Sequence, residues 1–565
     1  LQVLVDHLTG HPLKPGHTGI GHTRWATHGA PVDVNAHPHL ADGGKLAMIH
    51  NGIIENFAEI KQEMLEAGHE FLSETDTEVG AVLLGHLVAQ TGDFRAAFAQ
   101  AVNRFSGAFT VLAIHQDSPD LILAARHNSP LVIGFGEGEN FLGSDVAAFV
   151  EYTHHAAAVG QDQIVAITPA GVTVTDFAGN AVEVERFEIE WDASASDKGG
   201  WPSFMAKEIT ENPDAVANTV RGRVTETSVD IPELATLGAD TIKNTQRIIL
   251  IACGTASYAG QVAAYAIEQW ARIPVEVQLS HEFRYRDPVI TPETLVVSIS
   301  QSGETMDTLM ATRYAKEQGA KVLAICNTQG ATLARESDAV IYTHAGPEVA
   351  VASTKALVAQ ITAGYLLALF LGAGRGATAQ AELRRLGQEL LKMPANVTHV
   401  LERLEPIREL AKKMADAKSV LFLGRNVGFP VAMEGALKLK ELAYIHAEGF
   451  AAGELKHGPI ALIEEGQPVF VIVPSPDDVD SLHPKVISNI QEIRARGAKV
   501  IAIAEEGDAE VGNYAEHVTY VPKCENIFSS ILTVIPLQCF ALELSTAKGL
   551  DVDQPRNLAK SVTVE

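Results

Sequence analysis

Three short apolar segments occur twice in this chain, in the same order, and this repeat constrains the fold more strongly than any other sequence feature. The first copy comprises residues 247–251, 294–299 and 319–325, and the second comprises residues 419–423, 468–473 and 497–503. Short β-branched runs bounded by turn residues are typical of buried strands. Because helical stretches separate them, the segments predict two doubly wound α/β domains, each built on a parallel sheet.

The first 190 residues have a different pattern of apolar runs and turn residues, and this pattern predicts an antiparallel α+β layer domain. Apolar runs separated by Gly, Asp and Asn occupy residues 45–49, 109–114, 121–125 and 131–133, and helical patterns occupy residues 57–67 and 78–90. Many hairpin-forming strands with few helices are typical of such a layer. The glycines of segment 134–138 have a spacing that favours a hairpin turn over a dinucleotide-binding loop.

Small and polar residues over 191–203 separate these two sequence patterns and predict a linker between the two regions. The sequence therefore predicts five segments, namely an α+β domain over 1–190, the linker over 191–203, a first α/β domain over 204–390, a second over 391–550 and a tail over 551–565.

Charge and cysteine content limit the functions of the chain. Its 565 residues carry a net charge of −27, which argues against nucleic acid and against an anionic membrane surface as partners. Four cysteines without a Cys-x-x-Cys pair are typical of a reducing cytoplasm. The uncharged stretch 356–374 is nearly long enough to span a bilayer, but its Gly, Ala, Gln and Thr content favours a buried helix. No spacing typical of a metal site occurs, and no cofactor is predicted.

Hydroxyl-rich turns follow strands in the first α/β copy and predict a phosphate site. The candidate residues are Thr255, the turn Ser300, Gln301, Ser302 and Thr305 with Thr308 beyond it, and Ser353. The carboxyl ends of parallel strands meet in one crevice, where hydroxyls and helix N-terminal amides bind anions. Helix capping is the alternative for any one turn, but three convergent turns favour a small phosphorylated metabolite. The second copy has Pro474 and Pro476 at the corresponding turn and lacks most of these hydroxyls.

The second copy and the tail carry candidate acid–base groups. Lys438 and Glu441 lie three residues apart in a helical pattern and share a face, and His457 follows shortly after. A surface ion pair and a structural histidine are the alternatives. Lys560 lies in a Pro-stiffened, β-prone tail, where burial would favour the neutral amine that forms a Schiff base. A solvated tail lysine is the alternative there.

Polar clusters near the start of the chain describe a site for an amino-acid amide. Arg24 is suited to a carboxylate, and Asp76 is suited to an ammonium group, although it also fits a helix start. Asn51 and the backbone N–H of Gly52 are suited to an oxyanion. The site lacks a nucleophile, because no cysteine precedes Cys253.

The chain resembles the glutamine–fructose-6-phosphate aminotransferase (isomerising) family over essentially its full length. The motifs are His-Thr-Arg-Trp-Ala-Thr-His-Gly (22–29), His-Asn-Gly-Ile-Ile-Glu-Asn (50–56), Ser-Glu-Thr-Asp-Thr-Glu-Val (73–79), Ser-Gln-Ser-Gly-Glu-Thr (300–305), Val-Ala-Ser-Thr-Lys-Ala (351–356), Glu-Leu-Lys-His-Gly-Pro (454–459) and the terminal Asp-Gln-Pro-Arg-Asn-Leu-Ala-Lys-Ser-Val-Thr-Val-Glu (553–565). The terminal motif is the most specific, whereas Ser-x-Ser-Gly is shared by every sugar-isomerase domain. The resemblance implies a truncated N-terminal-nucleophile glutaminase layer domain followed by two α/β doubly wound sugar-isomerase (SIS) domains.

The resemblance also implies an activity and a role for each matching residue. The reaction converts D-fructose 6-phosphate and L-glutamine to D-glucosamine 6-phosphate and L-glutamate, without a cofactor, in a cytoplasmic homodimer. The glutamine site would comprise Arg24, Trp25, Thr27, His28, Asn51, Gly52 and Asp76, with Trp25 gating the passage of ammonia. The sugar-phosphate site would comprise Thr255, Ser300, Gln301, Ser302, Thr305, Thr308, Ser353 and the backbone of Val351. Lys560 would form an imine with the ketose, Glu441 would move a proton between C1 and C2, His457 would assist ring opening, and Lys438 would support them.

Two departures from the family pattern lead to further expectations. The family begins Met-Cys-Gly and uses that cysteine as the glutaminase nucleophile, whereas the given sequence begins beyond it, so we expect the chain as written to lack glutaminase activity. The family usually has Ser where this chain has Ala256, so we expect weaker phosphate binding unless a water or Ser257 compensates.

Two other classes of protein stay open at this point. A sugar-phosphate sensor would keep the serines but need not keep Glu441, His457 and Lys560. A glutamine-independent isomerase or deglycase need not keep the residues of the amide site.

Overall fold

The computed structural model describes residues 2–11, 16–24, 28–189, 197–477 and 481–563. The chain divides into two compact units, one formed by residues 1–193 with 562–565 and the other by residues 194–561. The predicted tail therefore contributes to both units. Of the predicted linker, residues 191–196 lie outside the described residues, and residues 197–203 belong to the second unit.

The first unit contains two antiparallel sheets. Its strands are β1 His39–Ala41, β2 Leu46–Gly52, β3 Phe109–His115, β4 Ser118–His127, β5 Val132–Phe135, β6 Asn140–Gly143, β7 His155–Ala158, β8 Gln163–Thr168, β9 Gly171–Asp176 and β10 Arg186–Glu188. One sheet has the order β1-β2-β3-β4-β8-β9 and the other β10-β7-β5-β6, and all neighbouring strands are antiparallel. Phe135 pairs with Asn140, which confirms the predicted hairpin turn between β5 and β6.

Helices cover one face of the larger sheet. They are α2 Phe57–Glu66, α3 Asp76–Thr91 and α4 Phe94–Val102, of which α2 and α3 occupy the two predicted helical segments. A further helix, α1 Gln2–Gly10, begins the described part of the chain. Val79 of α3 and Phe109 of β3 belong to the same buried core. Successive residues of a strand face opposite sides, so Ala124 and Val165 instead pack toward Ile133 of the smaller sheet. The unit is a layered α+β domain, as predicted.

The second unit contains two five-stranded parallel sheets with the same topology. The strands are β11 Arg247–Ala252, β12 Val275–Leu279, β13 Thr294–Ser300, β14 Lys321–Cys326, β15 Ala339–Tyr342, β16 Ser419–Gly424, β17 His446–Ala451, β18 Pro468–Ile472, β19 Lys499–Glu505 and β20 His517–Val521. The orders are β12-β11-β13-β14-β15 and β17-β16-β18-β19-β20, with all pairs parallel. The sequence repeat therefore corresponds to a repeated sheet.

The sheets of the second unit are covered by helices. These are α5 Phe204–Thr210, α6 Asn212–Val220, α7 Ala239–Asn244, α8 Thr255–Trp270, α9 Ser280–Phe283, α10 Met306–Glu317, α11 Thr332–Glu336, α12 Lys355–Gly374, α13 Gln380–Leu401, α14 Glu405–Lys413, α15 Gly428–Ala443, α16 His483–Arg494 and α17 Ser529–Ala547. Alternate residues of β11 face opposite cores: Leu250 packs with α8 and α12, and Ile249 packs with α10. Helices on both faces are what a doubly wound sheet requires.

Two helical segments of the second unit, Lys355–Gly374 and Asn526–Ala547, are long and apolar enough to cross a membrane. In each, 89% of the apolar window is buried inside the protein, as in the core helix of a globular domain. The first confirms the buried helix that the sequence predicted over 356–374. α13 runs through residue 390, so the boundary predicted between residues 390 and 391 lies inside a continuous helix.

Candidate active site

The carboxyl edge of the first parallel sheet positions the hydroxyl-rich turns. The neighbours of β11 are β12 on one side and β13 on the other, so the space beyond β11 and β13 is the topological switch point of the sheet. Thr255 begins α8 after β11, and Ser300 is the last residue of β13. Two of the predicted turns therefore leave adjacent strands at the place where parallel sheets bind ligands.

The Ser300–Thr305 turn is held by its own hydroxyls. The Gly303 N–H donates to Ser300 Oγ at 3.0 Å, and the Ser300 and Thr305 hydroxyl oxygens lie 3.2 Å apart. Gly303 has φ +65°, and a Cβ added there would lie 2.6 Å from Ala331 Cβ and 2.7 Å from Cys326 Sγ. Only glycine fits this turn, which opens onto the N-terminus of α10.

Two hydroxyls near this turn are already engaged. The Thr308 side chain is buried, and its Oγ1 lies 3.1 Å from Ser280 Oγ, so in this structure it supports the turn from behind. Ser257 is buried and donates to the Gly254 carbonyl at 2.7 Å. Its hydroxyl proton is thus engaged by the backbone in this structure, and compensation for Ala256 by a water or by Ser257 stays a prediction.

A buried charge cluster on α15 joins the two α/β copies. Lys438 Nζ donates to Glu441 Oε2 at 2.5 Å and to Thr255 Oγ1 at 3.1 Å, and it lies 3.4 Å from Glu434 Oε1. Only 1% of the Lys438 side chain is exposed, so the pair with Glu441 is not a surface ion pair. Glu434 was missed in the sequence, although its spacing from Lys438 places both on one helix face.

The cluster has perturbed protonation equilibria. Burial, with a contribution from Glu441, raises the pKa of Glu434 to about 7 despite the nearby Lys438. Burial alone would lower the pKa of Lys438, but Glu434 and Glu441 raise it, so the lysine stays an ammonium. Perturbed pKa values among grouped, buried side chains are typical of functional sites.

The tail closes over the same edge of the sheet. Lys560 Nζ donates to Glu348 Oε2 at 2.5 Å and to the Ala350 carbonyl at 2.8 Å, and Ser561 Oγ lies 3.0 Å from Ser302 Oγ. The Lys560 side chain is 24% exposed, so it is neither solvated nor fully buried. The burial expected of this lysine is therefore partial, and the buried carboxylate of Glu348 faces it.

The remaining predicted residues of this unit are placed less directly. The Val351 N–H donates to the Asp553 carbonyl at 2.9 Å, so it holds the tail rather than facing an open site. Ser353 immediately precedes Thr354, the N-cap of α12, and Gln301 accepts two backbone N–H groups through its carbonyl. His457 lies exposed in a short 3-10 helix, Glu454–His457. Among the described residues no hydrogen bond or ion pair joins His457 to Glu441 or Lys438.

The first unit carries a polar cavity at the ends of β2 and α3. The cavity has about 330 Å³ of space, part of it open to solvent, and its lining residues are His22, Arg24, His28, His37, His50, Asn51, Gly52, Thr75, Asp76 and Thr77. Five of the predicted glutamine residues thus meet in one place. The other two, Trp25 and Thr27, lie outside the described residues.

The candidate glutamine ligands are held by the backbone. The Arg24 guanidinium donates to the carbonyls of His28, Gly29 and Ala30 at 2.7–3.1 Å, so it closes its own loop while lining the cavity. Asp76 Oδ2 accepts the Ile54 N–H at 2.8 Å and is 2% exposed as a residue. Such a buried carboxylate at a helix N-terminus is fixed in place for an ammonium group.

The candidate oxyanion pair lies at the end of β2. Gly52 has φ +133°, and a Cβ there would lie 2.1 Å from the Ala108 carbonyl oxygen, so glycine is required. The Asn51 amide donates to Thr563 Oγ1, a residue of the same compact unit, at 3.0 Å. Side-chain and backbone donors therefore occupy adjacent positions.

His22 and His37, two histidines of this cavity that the sequence left without a role, are neutral at neutral pH. Burial, together with neighbouring histidines and Arg24, lowers the pKa of His22 to about 4 and that of His37 to about 2. The His22 and His37 rings stack 4.5 Å apart. Over the described ranges, no three His, Cys, Asp or Glu side chains form a group able to hold a metal ion.

Comparison with protein families and known proteins identifies the class. The glutamine amidotransferase domain model matches residues 22–151, and the SIS domain model matches residues 241–370 and 413–548. The fold and both sites therefore define a glutamine amidotransferase domain joined to two SIS domains.

Individual relatives are similar to the chain over most of their length. The glutamine–fructose-6-phosphate aminotransferase (isomerizing) of Leifsonia xyli subsp. xyli is 66% identical over 100% of this chain and 92% of its own length. The protein of that name from Corynebacterium diphtheriae is 61% identical over 100% of this chain and 91% of its own. A solved C-terminal domain of glucosamine-fructose-6-phosphate aminotransferase from Francisella tularensis is 37% identical with a TM-score of 0.60, covering 64% of this chain and all of that one.

The chain belongs to the family of glutamine–fructose-6-phosphate aminotransferases (isomerizing). It is a glutamine-dependent aminotransferase/isomerase, which sets aside the sensor class. Because the relatives align with the whole chain, nothing in the alignments supports the expected lack of glutaminase activity.

Proposed function

We propose that the enzyme converts D-fructose 6-phosphate and L-glutamine to D-glucosamine 6-phosphate and L-glutamate. The observation that carries this proposal is the 3.0 Å contact between Ser302 Oγ and Ser561 Oγ, because it places the tail lysine next to the hydroxyl turn. A sugar whose phosphate binds at that turn presents its far end to groups beyond it. Lys560 and the α15 cluster are the reactive groups available there.

Each group has a role in the proposed reaction. The phosphate accepts hydrogen bonds from the hydroxyls of Thr255, Ser300, Ser302 and Thr305 and from the amides that begin α10, with Gln301 and Ser353 at the rim. Thr308 supports the turn, and the Val351 backbone holds the tail. The ammonium of Lys438 donates to both Thr255 and Glu441, so it connects a proposed phosphate ligand with the proposed base.

The chemistry at C1 and C2 needs an amine and a base. The Lys560 amine attacks C2 of the open-chain ketose and forms an imine with loss of water, and ammonia then adds to C2 and displaces the lysine. Glu441 takes a proton from C1 and returns it to C2, which converts the ketose skeleton to the aldose. Lys438 donates a hydrogen bond to Glu441 at 2.5 Å and holds its carboxylate in position for this step. His457, exposed in this structure, assists ring opening.

The amide half supplies ammonia from glutamine. Arg24 and Asp76 bind the two charged groups of glutamine, Asn51 and the Gly52 N–H stabilise the oxyanion, and His28 with Thr27 completes the wall of the cavity. Trp25 gates the passage of ammonia. We propose that the enzyme is cytoplasmic and forms a homodimer. Light scattering on the purified protein tests the homodimer.

The test is turnover of fructose 6-phosphate with glutamine or with ammonium as the nitrogen source. Glucosamine 6-phosphate should form, and the Lys560→Arg variant, which keeps the charge but forms no imine, should not make it from either source. A folded wild-type enzyme that makes the product from neither source would refute the proposal. Glutamine as the nitrogen source tests both halves of the proposed reaction, whereas ammonium tests the sugar site alone.

A further inference from the structure

Two buried glutamates surround the lysine that the proposed function uses, and neither belongs to the acid–base cluster on α15. Glu348 has a fully buried side chain in the loop before α12, and Glu208, on α5, is 2% exposed. Both lie in the second unit with Lys560. Buried carboxylates are rare without a partner, so their arrangement calls for a physical explanation.

Glu348 is a rigid carboxylate. Its Oε1 accepts the N–H groups of Thr354 and Ala356 at 2.8 and 3.0 Å, at the beginning of α12, and its Oε2 accepts the Lys560 ammonium. Although burial opposes ionisation, Lys560 and these amides keep the pKa of Glu348 below its ordinary value. The carboxylate is thus fixed by a long helix while one oxygen is left for the lysine.

Glu208 binds the backbone segment that includes Ala350, whose carbonyl is the second acceptor for Lys560. Its Oε1 accepts the Val349 and Ala350 N–H groups at 2.5 and 3.1 Å, and the Ala350 carbonyl in turn accepts Lys560 Nζ at 2.8 Å. Glu208 Oε2 is buried without a hydrogen-bond partner, as suits a protonated oxygen. Burial, together with the Glu348 charge, raises the pKa of Glu208 to about 8.

α5 also holds the tail itself. The N–H groups of Phe204 and Met205 donate to the Asp553 carboxylate at 3.0 Å each, and Asp553 is connected to Val351 through its carbonyl. The same short helix thus fixes both the loop that carries Glu348 and the beginning of the tail that carries Lys560.

Other charged groups packed nearby are already paired. Lys355 lies 2.6 Å from Glu211, and Lys198 lies 3.2 Å from Asp553. Among the residues that the structure describes, Glu348 is thus the one carboxylate that forms an ion pair with Lys560.

We propose that Glu348 is the proton-transfer partner of Lys560 in imine formation, and that Glu208 is a positioning residue that holds the 348–350 segment against the lysine. This inference rests on the proposed function. Glu348 takes one proton from the Lys560 ammonium, and the free amine attacks the C2 carbonyl. The nitrogen–carbon bond forms, and one proton of the attacking nitrogen moves to the C2 oxygen. Glu348 then gives its proton to the same oxygen, the carbon–oxygen bond breaks, and water leaves. The product is the protonated imine, and Glu348 is again a carboxylate.

The test is borohydride trapping of the imine between Lys560 and fructose 6-phosphate, with the rate measured by peptide mass spectrometry between pH 6 and 9. This readout needs neither glutamine nor product formation. Wild type should show a nearly flat rate from pH 6 to 7, because the internal carboxylate removes the proton. Glu348→Gln should trap at least tenfold more slowly at pH 7, with a rate that rises with pH as bulk solvent takes over, since general base catalysis contributes roughly 10²–10⁴-fold. Glu348→Asp should recover part of the rate.

Glu208 is tested by its own variants, which stay informative if Glu348→Gln does not fold. Glu208→Gln keeps the acceptor oxygen but does not ionise, so its rate relative to wild type should rise between pH 7 and 9, where wild type gains a second negative charge beside Lys560. Glu208→Leu should slow trapping at every pH. Asp214→Asn, which removes an exposed acid of α6 outside this cluster, is the matched control and should follow wild type.

The outcomes separate the inference from the function on which it rests. If wild type forms no trapped imine on Lys560, the proposed function fails. If wild type forms it but Glu348→Gln and Glu208→Gln both reproduce the wild-type rate and pH profile, only the inference is overturned.

Discussion

A methyl group added to Gly303 should damage both stability and sugar binding. Gly303→Ala introduces a Cβ 2.6 Å from Ala331 Cβ and 2.7 Å from Cys326 Sγ, and it places a side chain on a residue with φ +65°. A left-handed backbone costs a non-glycine residue about 1–2 kcal/mol, and overpacking of a buried site costs about 1–3 kcal/mol more. We therefore expect the free energy of unfolding to fall by about 2–5 kcal/mol.

The effect on sugar binding follows because the added Cβ must push the backbone of the Ser300–Thr305 turn away from Ala331 and Cys326. The Gly303 N–H donates to Ser300 Oγ, so moving the backbone moves a hydroxyl that we propose binds the phosphate. Loss of one hydrogen bond to a charged group weakens binding by about 1.5–3 kcal/mol, which corresponds to roughly a 10- to 100-fold higher KM for fructose 6-phosphate.

Gly376→Ala is a matched control, because Gly376 also has φ +65° but a Cβ there meets no atom within 4 Å. It should show the backbone cost alone, about 1–2 kcal/mol, and an unchanged KM. Urea denaturation and steady-state kinetics with ammonium measure both quantities. Equal stability losses in the two variants, or an unchanged KM in Gly303→Ala, would refute the reasoning from the crowded turn.

Three further predictions concern buried charges. Because folding favours the neutral form of Glu434, the free energy of unfolding should fall as pH rises from 4.5 to about 7, by at most about 3 kcal/mol, and Glu434→Gln should remove that fall in urea titrations at several pH values. Lys438→Met leaves two carboxylates without their cation, so it should cost about 3–5 kcal/mol of stability and abolish isomerisation, whereas Lys412→Met, in an exposed pair, should leave the urea midpoint nearly unchanged. An equal response of both lysine variants would contradict the role of burial. Asp76→Asn should weaken glutamine binding at least tenfold by isothermal titration calorimetry, and unchanged binding would remove Asp76 from the site.

Much of the site could be predicted because its residues lie in short local motifs. The Ser300–Thr305 turn follows a β-branched strand and begins a helix, and both features are visible within a few residues of sequence. The Lys438–Glu441 spacing likewise places two side chains on one helix face. The spacing does not show whether the pair is buried. An active-site pair and a surface ion pair therefore have the same sequence pattern, and only the packing of the helix distinguishes them.

The missed residues have partners far away in the chain. Glu348 contacts Lys560 across 212 positions, and Glu208 contacts Val349 across 141. No local pattern marks such acids, because each is defined by the chain segment that folding brings against it.

The sequence by itself determined the layered first domain, the two repeated parallel sheets and the hydroxyl turns, because strand patterning and turn chemistry act over short distances. The tertiary structure decided which charges are buried, which hydroxyls are free and what faces the tail lysine. These properties depend on desolvation and on contacts between distant segments, so they arise only when the chain is folded.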